Sequence, residues 1–201
     1  MALVVARALA PAGAISQDRA DVFARGETAV LVVADGAGGV ARGGAAADLF
    51  FDSVRSAVLD DAFDLLAARR WEDLFANADR ELRAIGETTA VVVAQAPGVI
   101  VCVASGDSEA WIVRPDDVER LTGGASRRLG GGASPRSVVR GELDGRLVVA
   151  TDGLFRHVAE AAILALLRDR PFGGLADALI EAARMPSGAL ADDIAVLVAE
   201  R

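Results

Sequence analysis

The sequence contains no lysine, because all 21 of its basic residues are arginine. This absence excludes the phosphate-loop NTPases, pyridoxal-dependent enzymes and Schiff-base aldolases, since each of these classes needs a lysine amine. The single cysteine, Cys102, and the single histidine, His157, cannot form a disulfide or a structural zinc site. Cys102 lies in the apolar run 99–104, so we expect a buried, unreactive thiol there rather than a nucleophile.

Charge and hydropathy narrow the class of protein further. The net charge of -8 and pI of about 4.7 disfavour phosphate backbones and anionic lipid, so we expect neither nucleic acid nor a membrane as partner. The hydrophobic content of 53% supports a core, and 201 residues predict one domain, 1–201. No segment reaches the roughly 18 apolar residues of a membrane span. The stretch 1–10, interrupted by Arg7, reads as a strand rather than a signal peptide, so we expect a cytoplasmic protein.

Hydrophobic periodicity predicts a layered α+β fold. Strands are predicted at 3–9, 21–24, 29–34, 88–94, 99–104, 109–113, 147–151 and 194–199. Helices are predicted after the glycines at 36–44, and at 71–85, 158–168 and 175–184. The short turns between successive strands permit only antiparallel neighbours, which favours two sheets with helices outside. We expect Asp79 and the other acids of the second helix to face solvent, and 122–137 to form a surface loop.

Aspartates stand at the ends of several predicted strands. Asp35 and Asp152 each end an apolar strand and precede a glycine, and Asp192 and Asp193 precede the last strand. Asp107 occupies a tight turn between two strands. Carboxylates at the mouth of a buried strand are desolvated, and each costs several kcal/mol unless it is compensated.

A divalent cation would compensate such converging acids. Oxygen ligands without a usable histidine or cysteine suit Mg²⁺ or Mn²⁺ better than zinc. The alternative is that Asp before Gly is simply a common turn former. For any one of these positions turn chemistry suffices, but four acids at strand ends together favour a metal site.

Five segments carry a resemblance to a known family. They occur in the family's order and span nearly the whole chain: Val-Ala-Asp-Gly-Ala-Gly-Gly at 33–39, Gly-Glu-Thr-Thr-Ala at 86–90, Ser-Gly-Asp-Ser-Glu-Ala at 105–110, Val-Ala-Thr-Asp-Gly-Leu at 149–154 and Asp-Asp-Ile-Ala-Val at 192–196. They resemble the motifs of the metal-dependent protein phosphatases of type 2C, small bacterial members included. An earlier Glu-Asp motif of the family is matched loosely by Gln17-Asp18.

The resemblance implies a four-layer α-β-β-α sandwich of two antiparallel sheets flanked by helices. It also implies a signalling enzyme that hydrolyses phosphoserine and phosphothreonine at a dinuclear Mn²⁺ or Mg²⁺ centre through a metal-activated water. The implied partners are a phosphorylated protein substrate and a serine/threonine kinase.

Site residues carry over from the same motifs. Asp35 would bridge both metal ions, and the carbonyl of Gly36 would complete the coordination of one of them. Asp152 and Asp192 would bind the other ion, and these two with Asp35 form the implied catalytic set. Asp18 would hold a metal-bound water, and Asp107 would belong to a third, weaker metal position.

The sequence departs from the family's pattern at several positions. Ala37 stands where many members have a histidine, and Asp193 where the family usually has asparagine. The phosphate-gripping arginine before the Glu-Asp motif is missing from 12–16, which leaves Arg19 or Arg136 as substitutes. The flap that shapes substrate binding is reduced to about 121–139 in this chain.

Two other interpretations remain open. The segment 36–41 formally matches a dinucleotide fingerprint, but the parallel second strand that this fingerprint needs is not predicted. Alternatively, the fold is kept as a catalytically weakened regulatory or phosphoprotein-binding module. Gln17, Ala37 and the missing arginine favour the module, whereas the three metal acids Asp35, Asp152 and Asp192 oppose it. We expect His157 to lie at a helix start and to take no part in catalysis.

Overall fold

Strands that are apolar on both faces form the centre of the protein. The computed structural model describes residues 3–37, 40–124 and 126–201. The strands are β1 Val4–Ala10, β2 Asp18–Arg25, β3 Thr28–Ala37, β4 Glu87–Thr88, β5 Ala90–Ala96, β6 Val99–Ser105, β7 Glu109–Val113, β8 Val118–Arg120, β9 Arg136–Arg140, β10 Arg146–Ala150 and β11 Ile194–Glu200. The helices are α1 Val40–Leu59, α2 Ala68–Leu82, α3 Asp152–His157, α4 Glu160–Asp169 and α5 Leu175–Ala182. Gly38 and Gly39 of the first motif lie outside the described residues.

The strands form two antiparallel sheets. One has the order β1-β11-β10-β7-β8, and the other has β2-β3-β5-β6-β9 with β4 added beside β3. Side chains of β3 show why both faces are apolar. Val30 and Val32 pack against α1 and α2, whereas Leu31 and Val33 pack in the core between the sheets. A third core lies between the other sheet and α3, α4 and α5. The predicted four-layer α-β-β-α sandwich is therefore confirmed.

One prediction about connections is wrong, and another holds only in part. β6 and β7 are not neighbours, because the tight turn that contains Asp107 carries the chain from one sheet to the other. The predicted surface loop 122–137 contains Leu129, which is fully buried. Leu129 exchanges backbone hydrogen bonds of 3.1 and 2.9 Å with Thr88, and the end of this segment forms the start of β9. Within the described ranges, none of the helices has the length and apolar content needed to cross a bilayer.

Asp79 is the clearest error in the predicted solvent-facing side of α2. Only 4% of Asp79 is exposed. Its Oδ1 accepts backbone hydrogen bonds from Gly130, Gly132 and Ala133 at 2.8–2.9 Å. Burial opposes the charged form, but these N–H groups and Arg83 outweigh that effect and hold the Asp79 pKa below its ordinary value. A glycine-rich loop that needs a buried acceptor explains why helical periodicity alone misplaces this residue.

Candidate metal centre

The β2–β3 hairpin places two carboxylates side by side. Asp18, the first residue of β2, stands directly opposite Asp35 in the antiparallel register. Asp18 is only 2% exposed, and Asp35 is partly buried. The register thus brings two of the predicted site residues to one end of the hairpin.

Thr151 fixes the Asp18 carboxylate and joins the two sheets at this end. The Thr151 hydroxyl donates to Oδ2 of Asp18 at 2.6 Å and accepts from the Ala195 backbone N–H at 2.9 Å. Asp18 belongs to one sheet, whereas Thr151 follows β10 and Ala195 lies in β11 of the other. The buried threonine of the 149–154 segment is therefore a connector between the layers.

The two threonines of the 86–90 segment hold Asp35 from the other side. Thr89 accepts the Asp35 backbone N–H at 2.9 Å, and the Thr88 hydroxyl donates to the Asp35 carbonyl at 3.0 Å. The Thr89 and Ser108 hydroxyls lie 2.6 Å apart, which ties the backbone of Asp35 to the turn that carries Asp107. The 86–90 segment thus serves to position the acids of two other segments.

The glycines after Asp35 and Asp152 permit close contacts between backbones. A Cβ on Gly36 would lie 2.2 Å from the carbonyl oxygen of Gly43 in α1. A Cβ on Gly153 would lie 2.1 Å from the carbonyl oxygen of Asp193. Any side chain at either position would push apart the segments that carry the acids.

Asp35, Asp107 and Asp152 form the centre of the site. Each offers a carboxylate oxygen, and the three oxygens all lie within 4.8 Å of one another. The three residues come from β3, from the crossing between the sheets and from the start of α3. Acidic side chains from three separate segments therefore converge at a spacing that fits a metal ion.

Burial and mutual repulsion disfavour the charged forms of these acids. Burial raises the pKa of Asp18 to about 8, and the charges of Asp35 and Asp193 add to this effect against the Thr151 hydrogen bond. Burial, together with the charges of Asp107 and Asp35, raises the pKa of Asp152 to about 6. The pKa of Asp35 is also raised, mainly by burial and against the nearby charge of Arg128. A cation at this position would stabilise the ionised acids.

Two arginines reach this cluster, and the sequence analysis missed both. Arg156 makes 2.6 Å ion pairs with Asp107 and Asp152, and Arg128 lies 3.6 Å from both Asp35 and Asp107. The spacing of four residues between Asp152 and Arg156 was a usable signal, because it places both on one helix face. No pattern pointed to Arg128, whose loop is positioned by contacts that are distant in sequence.

Asp192 and Asp193 lie at the edge of the cluster. Asp192 is exposed and is not part of the 4.8 Å group, although its charge contributes to the raised pKa of Asp35 and Asp152. Asp193 accepts the backbone N–H groups of Ala12 and Gln17 at 2.8 and 2.7 Å. This acid, in place of the family's asparagine, holds the segment between β1 and β2 against the start of β11.

The remaining candidates lie elsewhere. Arg19 pairs with Asp48, and Arg136 donates to the Gly123 carbonyl, so neither is paired with the acids of the cluster. His157 is exposed at the end of α3 rather than at a helix start. Cys102 is buried between the sheets, so the prediction of a buried thiol is confirmed, and burial raises its pKa to about 12, which disfavours the reactive thiolate.

The protein resembles known proteins in its fold and not detectably in its sequence. No protein-family model and no curated protein matches the sequence. Solved structures do match. The Mycobacterium tuberculosis serine/threonine phosphatase PstP/Ppp is 21% identical, with 100% of this chain and 99% of that chain covered and a TM-score of 0.84. This chain has the fold of the bacterial serine/threonine phosphatases.

Two further structures agree with this assignment of the fold. The S. agalactiae serine/threonine phosphatase is 20% identical over 98% of each chain, with a TM-score of 0.86. The catalytic domain of PstP, solved in complex with 2 manganese ions, is 23% identical. That match covers 98% of this chain and 97% of the other, with a TM-score of 0.82. The phosphatase fold is thus established, and one neighbour with this fold binds manganese.

Proposed function

We propose that residues 1–201 form one metal-dependent serine/threonine protein phosphatase domain, which hydrolyses phosphoserine and phosphothreonine in protein substrates. The observation that carries this proposal is the convergence of Asp35, Asp107 and Asp152 within 4.8 Å in a chain with the phosphatase fold. A phosphorylated protein is then the partner, and a serine/threonine kinase supplies the phosphate.

The donor chemistry fits Mn²⁺ or Mg²⁺. The converging groups are carboxylate oxygens, which hard divalent cations prefer, and burial leaves their repulsion poorly screened. In the proposed site Asp35, the Gly36 carbonyl, Asp152 and Asp192 would hold the two ions, and Asp18 would hold a water. When bound, the ions would activate water for attack on phosphorus and offset charge on the phosphoryl oxygens.

Arg128 is proposed to orient the phosphoryl group. Its side chain is partly buried beside Asp35 and Asp107, and its Nε is buried without a hydrogen-bond partner among the described residues. An anionic oxygen would satisfy this donor, since guanidinium groups bind phosphate well. Arg128 would therefore perform the role that the sequence pattern leaves open at 12–16.

A second candidate is a regulatory module that binds phosphoproteins without turnover. The observation that favours it is that Arg128 and Arg156 already neutralise part of the acidic charge. In that case the arginines, rather than metal ions, would stabilise the cluster.

Hydrolysis of p-nitrophenyl phosphate and of a phosphothreonine peptide, with Mn²⁺ or with EDTA, separates the two candidates. We expect turnover that requires Mn²⁺ and falls roughly 100-fold or more in Asp152→Asn, because a group that offsets transition-state charge is lost. Asp144→Asn, which changes an exposed aspartate before β10, is the matched control and should retain activity. Absence of turnover in folded wild-type protein with Mn²⁺ would contradict the phosphatase and favour the module.

A further inference from the structure

Arg156 joins two carboxylates that come from different segments. Its Nη2 lies 2.6 Å from Oδ2 of Asp107, and its Nη1 lies 2.6 Å from Oδ2 of Asp152. Each acid meets a different nitrogen of one guanidinium, and we call this side chain the clamp. The contact with Asp107 is a hydrogen bond, whereas the contact with Asp152 is an ion pair, because Oδ2 of Asp152 is buried without a hydrogen-bond partner among the described residues. The clamp fastens the start of α3 to the turn where the chain passes between the sheets.

One of the two acids that the clamp contacts, Asp107, is also an expected metal ligand. The family resemblance assigns Asp107 to a third, weaker metal position, and an ion there would need oxygens of Asp107. In the structure Oδ2 of Asp107 faces Arg156, and Oδ1 lies 3.6 Å from Arg128. Both oxygens of Asp107 are therefore near a fixed positive charge.

Helix geometry holds Arg156 at this position. Residues four apart lie on the same face of a helix, so Arg156 extends over Asp152. The neighbouring Phe155 packs on Trp111, with 4.5 Å between the ring centroids, and this contact anchors α3 to the sheet. Only 6% of the Asp152 side chain is exposed, so few water molecules compete with the guanidinium for this acid.

We propose that the Arg156 guanidinium takes the place of a divalent cation between Asp107 and Asp152. The inference rests on the proposed function in one respect only, namely that the other ions bind at Asp35 and its neighbours. An arginine is charged at all working pH values, whereas an ion bound weakly by two carboxylates dissociates when its concentration falls. This chain therefore neutralises Asp107 permanently, and it binds one ion fewer than a site with free carboxylates there.

Counting bound Mn²⁺ by equilibrium dialysis and elemental analysis tests the inference. We expect Arg156→Gln to bind one more Mn²⁺ per chain than the wild type, because the carboxylate oxygens that face Arg156 become available. The double variant Asp107→Asn/Arg156→Gln should return to the wild-type number. Arg184→Gln is the matched control, since it removes one arginine and one intrahelical ion pair with Glu181 in α5, and its count should not change.

Thermal unfolding in EDTA gives a second measurement. Arg156→Gln should melt at a lower temperature than Arg184→Gln, and Mn²⁺ should reverse the loss. Arg156→Lys keeps the charge but not the fork of two nitrogens, so it should keep the wild-type Mn²⁺ count with reduced stability. Circular dichroism of each variant shows that the fold is intact.

Two results would overturn the inference. One is an unchanged Mn²⁺ count in folded Arg156→Gln, and the other is the loss of one ion when Asp107→Asn is made in the wild type. Turnover measured on the same samples tests the proposed function separately. An inactive wild type whose Arg156→Gln variant gains one ion contradicts the phosphatase but supports the clamp. An active wild type without such a gain contradicts the clamp alone.

Discussion

The two ends of the sandwich use the same residue types with opposite electrostatic results. At the site end, Asp107 precedes β7 and Asp152 follows β10. At the far end, Arg114 follows β7 and Asp144 precedes β10. Arg114 pairs there with Asp117, Glu119 and Asp144 at 2.8–3.2 Å. Hydrogen bonds from arginine lower the pKa of Asp144 and of Glu119, whereas burial raises the pKa of the acids at the site end.

The opposite pKa shifts at the two ends arise because the carboxylates differ in how deeply they are buried relative to how well they are paired with arginine. Arginines are present at both ends, but at the far end the carboxylates are partly exposed and water helps to stabilise their charge. At the site end the acids are more buried than their pairing can offset. The buried acids at the site end therefore have raised pKa values that a bound cation would lower, whereas the far end is an ordinary network of surface ion pairs.

The largest effect that separates the two ends is the pH dependence of stability without metal. A carboxyl whose pKa is raised in the folded state stabilises the fold below its ordinary pKa, and this stability is lost as pH rises through the raised value. With Asp18 at about 8 and Asp152 at about 6, the free energy of unfolding should fall between pH 5 and pH 8. We expect a loss on the order of 4 kcal/mol.

Urea unfolding in EDTA at the two pH values measures this loss. Saturating Mn²⁺ should flatten the dependence, since an ion stabilises the ionised acids. If the free energy of unfolding without metal rises from pH 5 to pH 8, the acids at the site end do not have raised pKa values, and the proposed contrast with the far end is wrong.

Asp79→Ala tests a buried acid near the site whose pKa is lowered instead of raised. Its removal leaves three backbone N–H groups without their acceptor, so we expect a loss of roughly 3 kcal/mol in unfolding free energy. Asp73→Ala on the same helix removes an exposed ion pair with Arg69 and should change stability by less than about 0.5 kcal/mol. Equal losses in the two variants would show that the glycine-rich loop does not depend on Asp79.

Asp18→Asn sharpens the comparison by removing charge while keeping the acceptor for Thr151. At pH 8 without metal we expect a gain of roughly 1–2 kcal/mol, because an amide beside Asp35 requires neither a buried charge nor a bound proton. Asp21→Asn, on the same strand and paired with Arg7 at the surface, is the control and should not stabilise. A destabilised Asp18→Asn would indicate that the charge itself holds the hairpin together.

The smallest effect is expected at the far end. Asp144→Asn breaks one of three ion pairs of Arg114, and we expect a loss of less than about 1 kcal/mol in thermal or urea unfolding. A loss as large as that of Asp79→Ala would mean that the far end is as strongly coupled as the site end.

Sequence patterns predicted the two-sheet fold, and they placed at strand ends two of the acids that the structure brings together. Apolar runs that end in aspartate located Asp35 and Asp152, because strand ends are visible in the sequence and several meet at one end of a sandwich. The metal-binding roles of all the site residues stay predictions, namely those of Asp18, Asp35, Gly36, Asp107, Asp152 and Asp192.

The contacts that join distant segments could not be read in this way. The clamp of Arg156 and the loop held by Asp79 depend on which segments meet in space. The sequence also did not predict that the chain crosses from one sheet to the other between β6 and β7, because a tight turn usually joins paired strands.

The hydrogen bond from Thr151 to Asp18 has a mechanical consequence. Val33, two residues before Asp35, and Val149, three before Asp152, both lie in the core between the sheets. The thickness of that apolar layer therefore sets the distance between the carboxylates of the two sheets, and the Thr151 hydrogen bond holds the layer at its edge. A change in the packing between the sheets would therefore change the spacing of the proposed metal ligands.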